Sequence, residues 1–145
     1  MMEDTRMKQV WMYFEKTKRL LLNPIGLATN PDWGTTAIPP VTDLPLPCEK
    51  EELKKAIQET FDNCYKLDGY NSPKEGPAQN YMGIKSQRKF VRIFETLLVL
   101  EWNKEEEYIL KFWERDEQGS GGYDKKNTIV FGKNIDYDYI LDLIQ

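Results

Sequence analysis

The chain contains no histidine. That absence excludes a Ser-His-Asp triad, a Cys-His pair, a histidine general base and a zinc-protease helix, because each needs an imidazole to move a proton or hold a metal. Cysteine is nearly as scarce. Cys48 and Cys64 are the whole set, and they form no CxxC. Two thiols so far apart build neither a disulfide scaffold nor a zinc or thioredoxin-like motif. The expectation is two reduced thiols, with Cys64 packed as a small hydrophobe. An excess of positive charge is also missing: 24 acidic residues against 20 basic ones leave a net charge of −4 and a pI near 5.0. A general nucleic-acid binder needs a basic stripe to displace counterions from phosphates, so no direct nucleic-acid partner is expected. Long apolar runs are lacking. The longest, around Val10–Phe14 and Leu97–Leu100, are strand-length and far short of the roughly 20 residues that cross a bilayer. The opening Met1-Met2-Glu3-Asp4-Thr5-Arg6 is charged and has no apolar core. It does not read as a signal peptide, and the expected compartment is the cytoplasm.

What remains is a chain of 145 residues, 40% hydrophobic and 12% aromatic. That suffices for one domain with its own core, neither disordered nor membrane-spanning. Residues 1–145 are therefore read as a single domain. Gln9-Val-Trp-Met-Tyr-Phe14 is rich in strand-favouring aromatics and predicts a first strand. Leu20–Leu22 predicts a second short extended piece that Pro24 ends. Six of the eight prolines fall between Asn23 and Cys48. Proline locks φ and removes an amide donor, so this segment can be neither helix nor central strand. Trp33, Ile38, Val41, Leu44 and Leu46 give it something to bury, which makes residues 23–48 an ordered surface arm.

The plainest helical pattern runs from about Glu49 to about Lys66. Leu53, Ala56, Ile57, Thr60, Phe61 and Cys64 fall on one face. Glu49, Glu51 and Glu52 oppose the positive end of the helix dipole, and Glu51 and Lys55 are spaced to pair. Gly69 is the expected stop, and Gly69 to Gly83 reads as a loop. Ile84–Val91 follows, basic on one side. Leu97–Trp102 and Glu107–Trp113, joined by the polar Asn103–Glu106, predict a β-hairpin whose two faces are both largely covered. Gly119–Gly122 predicts a flexible turn and Asn127–Phe131 a further strand. A closing helix starts near Ile135, with Asn134 as N-cap and Ile135, Tyr139, Ile140 and Leu143 as its inner face. The fold class this implies is α+β: one antiparallel-rich sheet packed by a long amphipathic helix and a C-terminal helix.

Few motifs carry chemistry. Gly119-Ser-Gly-Gly122 lacks the lysine and hydroxyl residue of a phosphate loop, and Asp124 would repel a phosphate. It reads as a turn. Carboxylates cluster at Glu105–Glu107, at Glu114, Asp116 and Glu117, and at Asp136, Asp138 and Asp142. Paired carboxylates can serve a glycosidase or bind a divalent cation. The C-terminal Asp-Tyr-Asp, however, lacks the glycine and distal glutamate of a calcium loop. Acidic faces of this kind are usually solvated, or they dock a basic protein partner. Lys85, Arg88 and Lys89 beside Phe90 read as a solvated basic face next to a buried aromatic. Trp11, Trp33, Trp102 and Trp113 read as core residues.

The order of these elements carries a resemblance. Leu44-Pro-Leu-Pro47 precedes the acidic-start helix with Glu51-Glu52-Leu53 and Ala56-Ile57. Then come Tyr81-Met-Gly-Ile-Lys-Ser-Gln-Arg-Lys-Phe90, a hairpin, a glycine-bearing turn and a C-terminal helix. From Pro39 onward this resembles the contact-dependent growth inhibition immunity proteins of bacteria. Gly83-Ile-Lys85-Ser86-x-x-Lys89-Phe90 is the most specific part. The chain departs from that pattern after the first helix, where Asn63 and Cys64 stand in place of a basic residue. The resemblance implies a small cytoplasmic antidote, monomeric or weakly dimeric, without cofactor, metal or catalytic residue. Its partner is then the C-terminal toxin domain of a delivered effector, often a nuclease, whose active site it covers. A nuclease is basic around its substrate groove, so acidic residues near a flexible aromatic-bearing turn become the candidate contacts: Glu114, Asp116, Glu117, Tyr123 and Asp124. The alternatives from the residues alone are a small carboxylate-dependent hydrolase and a non-catalytic scaffold module.

Overall fold

The computed structural model describes residues 6–30, 34–68, 76–94, 96–103, 105–115, 121–123 and 128–145. Its centre is an antiparallel pair of hairpins. β1 (Lys8–Glu15) pairs with β2 (Arg19–Leu27), and β5 (Thr96–Trp102) pairs with β6 (Tyr108–Arg115). β1 and β5 join the hairpins antiparallel, with Val10 opposite Leu100 and Met12 opposite Leu98. Each outer edge is completed by two short strands. β3 (Thr35–Ala37) and β4 (Thr42–Pro45) both lie along β2, while β7 (Gly121–Tyr123) and β8 (Ile129–Gly132) both lie along β6. The hairpin turn at 103–107 is closed by Asn103, whose side-chain oxygen accepts the N–H groups of Glu105 and Glu107, each at 3.0 Å.

The two-residue alternation of a strand divides its side chains between two cores. On one face, Val10, Met12, Leu20, Leu22, Leu98, Leu100 and Leu110 pack against α1 (Lys50–Asp62) and α4 (Tyr137–Ile144). On the other, Tyr13, Leu21, Leu97 and Val99 pack against α2 (Gly76–Met82) and α3 (Gln87–Ile93). The result is a single α+β domain in which the antiparallel sheet is covered on both sides. Each fully buried leucine contributes about 1.5–3 kcal/mol of transfer free energy.

Several details differ from the sequence-based expectation. β2 does not end at Pro24 but runs through it, with Pro24 opposite Val10. The Pro24 carbonyl accepts from the Ile38 N–H at 2.9 Å, so this residue's polar edge faces outward, into the gap between β3 and β4. A missing N–H on that side costs β1 nothing. The proline-rich arm accordingly contributes Asn23–Leu27 to β2, and its later part forms the two edge strands, with Ile38 and Leu46 buried.

α1 has Glu49 as its N-cap, whose N–H donates to the Glu52 carboxylate at 3.0 Å, and it buries Leu53, Ala56, Ile57 and Thr60. It stops at Asp62 rather than Lys66. Tyr65 turns to a φ of 64° and sends its N–H to the Ile25 carbonyl at 2.7 Å, tying the chain to β2. Lys55 pairs with Glu59 at 3.9 Å, not with Glu51. Gly69 lies outside the described residues. Within the expected loop, α2 forms instead, with Pro77 in its first turn, where the missing amide has no helical partner to lose. α4 starts two residues beyond Ile135. Asp136, not Asn134, is its N-cap and accepts the Tyr139 N–H at 3.1 Å. Ile140 and Ile144 are buried and Ile135 and Leu143 pack half-buried beside them, but Tyr139 is 37% exposed. Among the described residues, no helix is long and apolar enough to cross a membrane.

Candidate functional site

The two helical layers carry opposite charge. Residues 49–62 hold three lysines against five carboxylates, and 133–145 hold one lysine against three aspartates. These two segments together therefore carry four surplus negative charges. All eight carboxylates, Glu49, Glu51, Glu52, Glu59, Asp62, Asp136, Asp138 and Asp142, are exposed. Residues 76–94, which build α2 and α3, contain Lys85, Arg88, Lys89 and Arg92 and no carboxylate. These four are exposed as well, while Phe90, Val91 and Phe94 turn inward. Ser86 starts α3 by accepting the Lys89 N–H at 3.2 Å, and the burial of Phe90, Val91 and Phe94 turns its cationic stripe away from the sheet.

A hollow of about 460 Å³ is set into the acidic side. One wall is a stripe of α1, Lys50, Lys54 and Gln58, spaced four residues apart and so aligned along the helix. Tyr108 of β6 forms the floor, and the connection Lys133–Tyr137 from β8 to α4 forms the opposite wall. Lys50 bridges the two helices through Asp138 at 3.2 Å. Phe61 meets the Tyr108 ring edge-on at 5.7 Å and holds it in place. Burial pushes the Tyr108 hydroxyl above the usual phenol range. Tyr137 is pushed up by burial and by the neighbouring Tyr108, and a hydrogen bond with Gln58 opposes the shift. Both rings are therefore neutral hydrogen-bonding groups at any ordinary pH. The lining is mixed in charge, Lys50, Lys54 and Lys133 against Glu51 and Asp136, and with the two rings it suits a polar group of a partner, with aromatic surface for its stem.

Two of the C-terminal carboxylates already have partners. Asp136 is committed to capping α4 and Asp138 to Lys50. Among the described residues, no group of three or more Cys, Asp or Glu side chains is placed to hold a metal ion. Cys64 is buried, with its thiol donating to the Gln9 carbonyl at 3.3 Å. Burial, then Glu52 and Glu49, raise the Cys48 thiol above its ordinary range, which keeps it protonated and unreactive.

Of the five candidate contacts near the glycine turn, Asp116, Glu117 and Asp124 lie outside the described residues. The backbone of Glu114 sits opposite Gly122 and that of Tyr123 opposite Trp113, which brings these two to adjacent rungs of the β6–β7 ladder. The α1–α4 face was visible in the sequence only in pieces. Its acidic residues fall in two segments far apart in the chain, and only the packing of both helices on one side of the sheet joins them.

No protein-family model matches the chain, and no curated protein matches it. The fold is similar to a solved structure, the protein of unknown function NMB0488 from Neisseria meningitidis. The TM-score is 0.61 at 12% sequence identity, over 98% of this chain and 93% of that one. At that identity the likeness extends to the fold alone.

Proposed function

We propose that this protein binds the C-terminal toxin domain of a delivered effector, a nuclease, and neutralises it by covering its active site. The single observation that carries this reading is the surplus of exposed carboxylates on and beside α1 and α4, next to a hollow of mixed charge that also holds Tyr108 and Tyr137. A nuclease groove must be cationic to hold phosphates, so an acidic face complements it, steers the encounter and gains its hot-spot area from the two rings. The resemblance to immunity proteins points to the same class of partner. The acidic turn around Glu114 and Tyr123 is a second place where such a toxin could touch.

The test uses the toxin domain encoded beside this chain. Its affinity for the wild-type protein is measured by calorimetry at low and moderate salt, and its nuclease activity is followed during titration. The expected result is one-to-one inhibition with affinity that falls as salt rises. Glu51→Lys with Asp142→Lys should weaken binding at least about tenfold, the equivalent of about 1.4 kcal/mol. Asp116→Lys with Glu117→Lys reports on the turn in the same assay. A chain that leaves the nuclease active at stoichiometric excess, or that degrades a substrate by itself, overturns the reading.

A further inference from the structure

We infer that the basic α2–α3 side is a docking surface for the acidic α1–α4 side of a second copy of this chain, giving head-to-tail association at low ionic strength. Its premises are on the surface of the monomer. Lys85, Arg88, Lys89 and Arg92 form one outward stripe on and beside α3, spaced three and four residues apart, with no carboxylate anywhere in 76–94. On the opposite side of the same sheet, the segments 49–62 and 133–145 carry a surplus of four negative charges. The occupant that complements the stripe in sign is the molecule's own other face. Because the two surfaces lie on opposite sides of the sheet, the contact is heterologous. One copy offers its basic side, the next its acidic side, and both ends of any dimer remain open to growth.

An isologous dimer would instead place like charges together, basic on basic or acidic on acidic. The interaction is long-range and exposed, so it follows the screening length, about 20 Å at 25 mM salt and about 5 Å at 400 mM. This inference needs no toxin and stands independently of the function proposed above. The two are linked in one respect: a basic partner that takes the acidic side competes with the second copy for it.

Sedimentation velocity on the full chain tests this directly, at concentrations from micromolar to about 0.2 mM in 25 and 400 mM salt. The expected result is concentration-dependent growth beyond dimer at low salt and monomer at high salt, with at least a tenfold drop in the apparent association constant. Two variants then define the geometry. Lys85→Gln, Arg88→Gln, Lys89→Gln and Arg92→Gln together erase the basic side. Glu51→Gln, Glu59→Gln, Asp62→Asn and Asp142→Asn together erase four charges of the acidic side. All eight positions are exposed, and unchanged circular dichroism and melting temperature verify folding. Each variant alone should be monomeric in 25 mM salt. Mixed one to one, they should form a dimer that grows no further, because each supplies the only side the other lacks. The acidic-side variant is near zero net charge, so simple attraction between oppositely charged molecules does not explain such a dimer. A wild-type chain that stays monomeric in 25 mM salt overturns the inference, as do variants that still self-associate singly or a mixture that stays monomeric. A fluorescent single-stranded oligonucleotide is titrated in parallel. If it binds the basic stripe of a monomeric chain, the stripe serves a polyanion and not a second copy.

Discussion

Replacing Asn23 by valine should stabilise the protein, and the reason lies in where β2 places this amide. Asn23 is completely buried, opposite Trp11 on β1 and between Leu21 and Ile25, both also fully buried. Neither its oxygen nor its nitrogen has a hydrogen-bond partner among the described residues. An amide desolvated without a partner costs about 1–3 kcal/mol by mutational measure. Valine removes that cost and is a better strand former. Its branched side chain is also slightly larger, and overpacking in a dense interior can take back about 1 kcal/mol. The net expectation is a gain of about 1–2 kcal/mol, which for a domain of this size corresponds to a rise in Tm of roughly 3–6 °C. Asn23→Leu, larger still, should gain less. Urea denaturation followed by tryptophan fluorescence gives the free energy, and an unchanged m-value shows that the unfolded ensemble is the same. If both substitutions lower stability by more than about 1 kcal/mol, the amide is paired in solution and the reasoning from its isolation is wrong.

Two further outcomes follow from the sheet and the hollow. Lys111 and Glu101, 19% and 13% exposed, pair at 3.1 Å, and the same Glu101 oxygen accepts from Gln9 Nε2 at 2.9 Å. Lys111→Met should therefore cost about 2–4 kcal/mol by leaving a half-buried carboxylate without its cation. Adding Glu101→Gln should recover part of that loss, and a double-mutant cycle with coupling near zero would refute a working ion pair. Tyr108 and Tyr137 have folded-state pKa values raised above those of the unfolded chain, chiefly by burial. Their contribution is complete below about pH 10 and is lost as pH rises through the folded values, since the unfolded chain releases these protons first. The double variant Tyr108→Phe, Tyr137→Phe should flatten the alkaline fall of unfolding free energy between about pH 9.5 and 11.5, and a slope equal to the wild type's in urea titrations would contradict this.

The hairpin, the long helix and the strand from Gln9 to Phe14 could be read from the sequence because each carries a strong local period: alternating apolar residues in strands, and Leu53, Ala56, Ile57 and Thr60 in the helix. The misreadings have a common origin in residues whose role is set by distant partners. Pro24 looks like a strand terminator until Ile38 is seen bonding to its carbonyl on the outer side. Asn23 looks like the start of a polar arm until β2 buries it opposite Trp11 of the neighbouring strand. Pro77 and Gly76 look like loop punctuation, yet proline is tolerated in a first helical turn and Ala78 is drawn into the core by the sheet. The acidic face had no single signature in the sequence, because residues 49–62 and 133–145 become neighbours only through packing.

The layered fold also explains why charge sorted along the chain becomes charge sorted in space. Each helical segment covers one side of the sheet only, so a run of outward residues of one sign colours a whole side. Strand addition is a weaker route to a partner at the β3–β4 edge, where Pro39, Pro40 and Pro45 interrupt the available donors and the ladder to β2 breaks between Ala37 and Thr42. The helical sides are free of that obstacle. They present rigid elements anchored in two separate cores, Phe90 and Phe94 beneath the cationic stripe and Leu53, Ile57 and Ile140 beneath the acidic one. A surface held this way keeps its charges in fixed positions at encounter, so less ordering entropy is lost on docking than with a flexible arm of the same composition.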